Sequence, residues 1–472
     1  MDDQVRLLRD IEDYCRKTGF AETTFGRRSV NDGKFVSRLR EGKGVTVRTL
    51  NRVKDFMRAN PAPKGGDMAS STTLELKSSR GAKKPAKAGS AKKKSKDDGE
   101  KAFRFYDNRQ KYLMFVNTCD EKWVVSDRVG KELQHLSPTP PALKVFDAGM
   151  GDGTVITNVM RNMHKRFPHV PFQIVGKEVS LEDVRLTLEK MPDRFNEHPA
   201  SVMVITNMYY TEAPWLMPRS INAAAALNWH EISLTGDTAW EFDEQLKALG
   251  PMLAEGWQAK ASEKTGNPLY VRPSVLVIFR DDHRFLLDQI IPRPGRHLGE
   301  YDLVIASQPY RARMPAEFKV DKVLAPLARS LGPGGRMLVV HSWGNDPGLE
   351  IVRKIWPDEN PFITDRHSLL RVMKQRLGKT ERDLSFSTLA DKRAILKYQM
   401  HVLPTELGGA SIGTSTLFAA WNAAIYVAQI EDARVEEAIA NPRYLEATAE
   451  VLKKRNGLWF YDEAFVISRR RS

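Results

Sequence analysis

The sequence predicts an α/β chain, a doubly wound domain of alternating strands and helices preceded by a small all-α domain. Three observations carry this. From residue 101 onward, short apolar runs such as "KVFD", "PFQIVGK" and "SVMVIT" alternate with amphipathic stretches such as "LEDVRLTLEK", the pattern of strands joined by crossover helices. Residues 1–60 show helical spacing alone, broken by short polar turns. Between them, residues 61–100 are rich in Lys, Ser, Ala, Gly and Pro and hold no aromatic residue. That composition cannot bury enough apolar surface to offset chain ordering, so a disordered basic linker is predicted.

At 472 residues, 41% of them hydrophobic, the chain has room for two or three units and a sizeable core. The formal charge of +14 favours polyanionic partners, although much of it sits in the linker. The longest apolar segment, "STLFAAWNAAIYVAQI", is interrupted by Ser, Thr, Asn and Gln. It falls short of the ~18 residues a membrane span needs and reads as a buried helix. The N-terminus has no basic-then-apolar signal pattern, so a cytoplasmic location is expected. The 2 cysteines, Cys15 and Cys119, argue against a disulfide framework. The 10 histidines show no HxH or HExxH spacing, and no metal site is expected.

In the first sixty residues, "VRLLRDIEDYCRKTG" places Val5, Leu8, Ile11 and Cys15 on one helical face. Two shorter helices and a final one follow. Asn31-Asp32-Gly33 supplies a turn and a cap for the helix carrying Phe35, Val36 and Leu39. Gly42 and Gly44 end it, and Thr46 caps the last helix. The pattern resembles the phage-repressor type of helix-turn-helix, with Phe25 and Gly26 in place of its usual turn residues. The resemblance implies a recognition helix beginning near Asp32, with Lys34, Ser37, Arg38 and Arg40 toward DNA. A small helical docking or dimerisation module is the alternative, and a homodimer is compatible with it.

Lys144 to Asp147 reads as a strand, followed by "DAGMGDG" and the helix "TVITNVMRNMHKRF". Gly149, Gly151 and Gly153 let the backbone turn sharply and approach a ligand without a Cβ in the way. A dinucleotide loop would place its third glycine one residue later, and Asp152 would repel a pyrophosphate. Asp147, two positions before the first glycine, suits a ligand carrying an ammonium. This acid-x-G-x-G-x-G pattern resembles the first motif of the class I S-adenosylmethionine (SAM)-dependent methyltransferases. The resemblance implies a seven-stranded Rossmann-like sheet over residues 101–472 with SAM as cofactor. Asp147 and the three glycines would then take the methionine end.

Downstream strands keep the same order. "PFQIVGKEVS" ends at Glu178, where the family places the acid for the ribose hydroxyls. "SVMVITNMYY" ends at Asn207, where it recognises adenine; an amide offers both a donor and an acceptor. "EYDLVIASQPY" is a fourth strand, and "GRMLVVHSWG" after a Gly-Pro-Gly-Gly turn is a fifth. "RAILKYQMHVLP" and "LWFYDEAFVISRR" resemble the last two. Phe105, Tyr106 and Tyr112 are candidates for a cover over the cofactor, or for core packing.

Two elaborations interrupt the order. Residues 211–300 replace a short helix, and an insertion of this length points to function: a lid or substrate-binding subdomain with an extra hairpin. Residues 405–455 form a helical elaboration. Methyl transfer needs a positioned nucleophile and a dry site more than a base. Ser307-Gln308-Pro309-Tyr310 partly resembles the [Asp/Asn/Ser]-Pro-Pro-[Tyr/Phe] motif of amino-methylating enzymes, with Gln308 replacing the first proline. On that resemblance Ser307 lies beside the cofactor, and Gln308 and Tyr310 orient the acceptor. His341 and Trp343 are alternatives.

The reading is therefore an SAM-dependent methyltransferase of unidentified acceptor, with DNA as a partner for residues 1–60 and the linker. A DNA or RNA base methyltransferase and a transcription regulator that only senses SAM are alternatives. "GMGDG" also resembles the spermidine-synthase loop, but an aminopropyltransferase needs an acid after strand four, and "VIASQPY" offers none.

Overall fold

The computed structural model describes residues 3–18, 20–30, 32–40, 47–60, 109–262, 268–402, 407 and 412–471. The linker, Phe105 and Tyr106, and the expected caps at Asn31, Gly42, Gly44 and Thr46 lie outside these residues. The chain divides into two units, Met1–Ser95 and Lys96–Ser472.

The first unit contains α1 (Asp3–Thr18), α2 (Glu22–Val30), α3 (Phe35–Arg40) and α4 (Val47–Ala59). Ile11 and Cys15 enter its core as expected, joined by Leu7 and Tyr14, while Leu8 packs only at the edge. Phe25, Phe35, Val36, Leu39 and Val53 complete it. A Cβ on Gly26 would come within 2.3 Å of Asp32 O, so the approach of α2 to the following turn requires glycine. Asp32 Oδ1 accepts the Lys34 N–H at 3.0 Å, and Asp32 O accepts that of Phe35 at 3.1 Å.

In the second unit, α5 (Arg109–Thr118) and α6 (Glu121–Leu133) precede β1 (Leu143–Asp147). Then come α7 (Thr154–Arg166), β2 (Phe172–Lys177), α8 (Leu181–Leu188) and β3 (Ser201–Thr206). Strands β4 (Asn228–Leu234), β5 (Ala259–Ala261), β6 (Pro268–Tyr270) and β7 (Ser274–Arg280) belong to the inserted segment. β8 (Tyr301–Ser307), β9 (Leu331–Ser342), β10 (Leu384–Ser387), β11 (Ile395–Gln399) and β12 (Trp459–Arg469) follow. The sheet order is β10-β12-β9-β8-β1-β2-β3-β7-β4, with β11 also on β12. β1, β2, β3, β8 and β9 run parallel, and β12 returns antiparallel to β9.

The sheet holds ten strands, not the seven expected, for two reasons. The sixth position is shared by β10 and β11, which pair with successive halves of β12. The inserted segment also joins the sheet: β7 lies antiparallel to β3, and β4 parallel to β7. Every residue of β7 is buried, and a run apolar on both faces is stable only in a sheet covered on both sides. Among the described residues, the short antiparallel pair β5 and β6 stands outside the main sheet.

Alternation along each strand divides two cores. Phe146, Val175, Val204, Val277 and Val304 face one; Val145, Ile174, Met203, Ile278 and Ile305 face the other. A third core joins the helices Thr414–Val427 and Arg443–Arg455 to Phe115, Cys119, Tyr398 and Phe460. The apolar segment of the sequence is the first of these helices, with Trp421, Ala424 and Ile425 buried. Among the described residues no helix is long and apolar enough to cross a membrane. Both cysteines are buried and free.

Candidate functional site

The strand order reverses at β1, with β2 and β3 to one side and β8 and β9 to the other. Open α/β sheets bind ligands outside the strand C-termini at such a reversal. Asp147 ends β1, Glu178 follows β2, and Ser307 ends β8, so these sequence candidates meet at one edge. Asn207 follows β3 on the same edge.

Asp147 is 1% exposed. Its Oδ1 accepts the Gly149 N–H at 3.3 Å, and its Oδ2 is buried without a hydrogen-bond partner. Burial pushes the carboxyl up to about 7, with the Gly149 N–H and the Lys122 charge pulling the other way. A buried acceptor left open is costly unless a ligand completes it.

The glycines act differently from one another. Gly151 and Gly153 have φ of +55° and +77°, where a side chain is strained. A Cβ on Gly149 would meet nothing nearer than Ser307 O at 3.8 Å. The fold itself therefore tolerates a methyl at Gly149, and the space it would enter opens between the ends of β1 and β8.

Glu178 is half-buried and ties the loop to β2. Its Oε2 accepts from Gly151 N at 2.9 Å, and its Oε1 from Val179 N and Ser180 N at 2.8 Å. Burial raises its carboxyl, with Asp183 adding, against the Lys177 charge and these N–H groups. Asp152 is satisfied within the fold: Thr154 Oγ1 and Lys190 Nζ donate to its Oδ2 at 2.6 and 2.9 Å. From α5, Tyr112 Oη would lie 2.9 Å from a Cβ on Gly151, so this one member of the expected cover sits on the glycine loop. α5 is held there by Asn422 Nδ2, which donates to Lys111 O at 3.0 Å.

Asn207 is bonded to the inserted segment. Its Nδ2 donates to Gly256 O and Arg272 O at 3.0 and 2.9 Å, and its Oδ1 accepts Ser274 N–H at 2.8 Å. Both amide hydrogens are engaged within the fold, and its oxygen keeps one lone pair beyond the Ser274 N–H.

On the acceptor side Gln308 is likewise internally bonded, while Tyr310 Oη and His341 Nε2 are buried without a hydrogen-bond partner. Gln308 has φ +47°. Its Nε2 donates to Glu121 Oε1 and Asp462 Oδ1, each at 3.2 Å, and its Oε1 accepts Ser342 N–H at 3.2 Å. Burial and the Glu121 charge hold the Asp462 carboxyl well above its usual range, against the Gln308 and Ser342 hydrogen bonds. Tyr310, expected to stack on an acceptor, is 8% exposed. Lys319 Nζ lies 4.9 Å from its ring centre, and the His341 ring packs on its edge at 5.7 Å. Tyr310 is thus turned into the core beneath the loop. His341 is also buried, and burial pushes its imidazole down to about 3. Trp343 packs edge-on to Tyr461 at 6.2 Å. Ser307 stays half-buried at the mouth.

Three functional candidates escaped the sequence reading. Tyr210, the second tyrosine of "NMYY", donates from Oη to Pro309 O at 2.8 Å and bridges β3 to the loop after β8. Glu121 and Lys122, in "DEKW", reach the site from α6. A charged pair at a helix start offers no sequence signal beyond an ordinary surface turn. Among the described residues, no cluster of three His, Cys, Asp or Glu is arranged for a metal.

In the first unit, Lys34, Ser37, Arg38 and Arg40 are all exposed. Arg40 pairs with Glu22 at 2.6 Å and Glu12 at 2.8 Å, and Arg38 pairs with Asp32.

No family model and no curated protein matches the sequence. Solved structures similar to the chain include a geranyl diphosphate methyltransferase in complex with GPP and sinefungin, at 14% identity and a TM-score of 0.27 over 73% of this chain and 78% of that one. PKMT2 from Rickettsia typhi aligns at 11% identity and 0.24 over 73% and 52%. The rRNA methyltransferase aviRa from Streptomyces viridochromogenes aligns at 15% and 0.20 over 46% and 72%. Scores this low leave the reading of the site to its own geometry.

Proposed function

We propose that residues 109–471 form an SAM-dependent methyltransferase, with Asp147, Gly149, Gly151, Gly153, Glu178 and Ser307 around the cofactor. The observation that carries this is the orphaned Asp147 Oδ2, an anionic acceptor beside a glycine loop at the sheet's switch point. The residues present fit the group. Asp147 would take an ammonium. Glu178 already accepts three N–H groups, and its one remaining lone pair, on Oε2, would take a ribose hydroxyl. Gly149 keeps room for the chain between them.

The cofactor, when bound, supplies a methyl group on an electrophilic sulfonium. The chain's own residues position the two reactants and exclude water. Gln308 serves by holding the loop corner through Glu121, Asp462 and Ser342 rather than by touching the acceptor. Tyr310 supports the same loop from below. Ser307 and the backbone that follows it remain to meet the acceptor. Asn207, following β3, would meet adenine through the lone pair its oxygen keeps beyond the Ser274 N–H.

Calorimetry with SAM tests the reading. Binding that Asp147→Ala abolishes is expected; wild-type protein silent at millimolar SAM would refute it. Aminopropyl transfer is the second reading, because Glu121 and Asp462 supply the acids that "VIASQPY" lacks. Tighter binding of decarboxylated SAM than of SAM would favour it. The buried Tyr310 ring speaks against a nucleobase stacked there.

For residues 3–60 we infer a DNA-binding helix-turn-helix, supported by the glycine-dependent approach of α2 to Asp32 and the exposed Lys34. Arg38 and Arg40 already face carboxylates, so Lys34 would carry more of the phosphate contact. Lys34→Ala should weaken a gel shift and flatten its salt slope by about one; no shift with any DNA leaves a docking module.

A further inference from the structure

Lys122 lies in the first turn of α6. Among the described residues no hydrogen bond or ion pair engages its ammonium, which stands 5.6 Å from the centre of the Tyr112 ring. That ring is the one resting on Gly151. The charges facing Lys122 are Glu121, Asp152 and Asp147. Burial works against its ammonium, and these carboxylates outweigh that and hold it above its usual range.

Two of the three carboxylates have other partners. Asp152 holds Thr154 and Lys190, and Glu121 holds Gln308. Asp147 has one long N–H bond and one bare oxygen. Asp147 and Lys122 are thus an acceptor and a donor of opposite charge beside the same loop. Each is incomplete, and they are not bonded to one another. The amino-acid end of a nucleoside such as SAM carries the complementary pair, an ammonium and a carboxylate on one carbon.

We propose that Lys122 takes the α-carboxylate of the cofactor while Asp147 takes its ammonium, so that the site selects a nucleoside with an intact amino-acid end. This rests on the cofactor reading above. A ligand without the carboxylate would bring its cationic end against an unanswered ammonium, a repulsion that supplies the selectivity. The Tyr112 ring below Lys122 favours the cation at that place.

Calorimetry on the full chain tests this with S-adenosylhomocysteine and with 5′-methylthioadenosine, which lacks the amino-acid end. Lys122→Met should lower affinity for S-adenosylhomocysteine roughly ten- to a hundredfold, the range for a charged hydrogen bond. Affinity for 5′-methylthioadenosine should stay the same, which also shows the variant folded. Lys122→Arg should keep most of the preference. An unchanged preference in Lys122→Met overturns the proposal and leaves the cofactor reading standing. Tighter S-adenosylhomocysteine binding by that variant also overturns it, since Lys122 would then compete with the ammonium. Wild-type protein alone gives a second measure: SAM should bind at least about tenfold tighter than decarboxylated SAM, and equal binding overturns the proposal. Wild-type protein that ignores S-adenosylhomocysteine refutes the cofactor reading itself.

Discussion

The loop after β1 and the loop after β8 lie at adjacent strand ends, yet they treat their polar groups differently. After β1, Asp147 Oδ2 has no partner, and space stays open over Gly149. After β8, Gln308 spends its amide on Glu121, Asp462 and Ser342, Pro309 O receives Tyr210, and Tyr310 is in the core with its Oη alone unpartnered. A buried polar group without a partner is unstable in isolation, so it marks where a ligand is needed. A loop whose amide and carbonyl groups are bonded within the fold marks where shape is being held. Stability and ligand affinity should therefore separate between the two loops.

The largest effect should fall on the open side. Asp147→Asn is expected to lower S-adenosylhomocysteine affinity about a hundredfold in calorimetry, near 3 kcal/mol. Its effect on stability should have the opposite sign. The folded carboxyl, pushed up to about 7, lies above its ordinary value of 3.8. The charged group therefore destabilises the fold increasingly as pH rises from about 4 through 7. Urea midpoints should show the variant more stable than wild type at pH 8, by a few kcal/mol at most, and equal at pH 3. Wild-type ligand affinity should itself fall as pH drops below 7, because a protonated Asp147 cannot pair with an ammonium.

On the internally bonded side of Gln308 the pattern reverses. Gln308→Ala leaves two buried carboxylates facing each other and should cost about 3 kcal/mol of stability. Folded protein should still bind S-adenosylhomocysteine. An unchanged urea midpoint would show that the amide does not hold the acids. Asn207→Ala strips partners from Gly256 O, Arg272 O and Ser274 N and should cost about 2 kcal/mol, with a smaller loss of affinity. Unchanged affinity would take the adenine role from Asn207.

Smaller effects sharpen the contrast. Gly149→Ala has room for its methyl and should keep wild-type stability within about 0.5 kcal/mol. Its affinity for S-adenosylhomocysteine should drop about tenfold through clash with the ligand. Unaltered affinity would place the ligand elsewhere. Tyr210→Phe removes one hydrogen bond across the mouth and should cost about 1 kcal/mol in thermal unfolding; no change would mean the bridge to Pro309 holds nothing.

How far each feature could be read follows from the range of its causes. β1, β2, β3, β8, β9 and β12 are apolar runs bounded by turn residues, and each lies where the pattern puts it. The place of "SVLVIF" was not legible, because an all-apolar run shows that it is buried but not in which sheet. The paired acids Asp147 and Glu178 stand out by spacing. Asn207 has the expected position, but its bonds within the fold could not be read, since its partners Gly256 and Arg272 lie 49 and 65 residues onward. Gln308 could not be recognised as a clasp, because Asp462 is 154 residues away.

From the amino-acid order alone came the alternation of strands and helices, the bare glycine turn and the acid beginning it, because hydrophobic periodicity and backbone freedom are local properties. Which polar atoms end up satisfied and which are left waiting was decided by the folded chain. Hydrogen-bond partners at Asn207, Gln308 and Tyr210 come from distant segments brought together only when the sheet closes, and the same closure leaves Asp147 Oδ2 and the Lys122 ammonium unanswered beside the glycine loop.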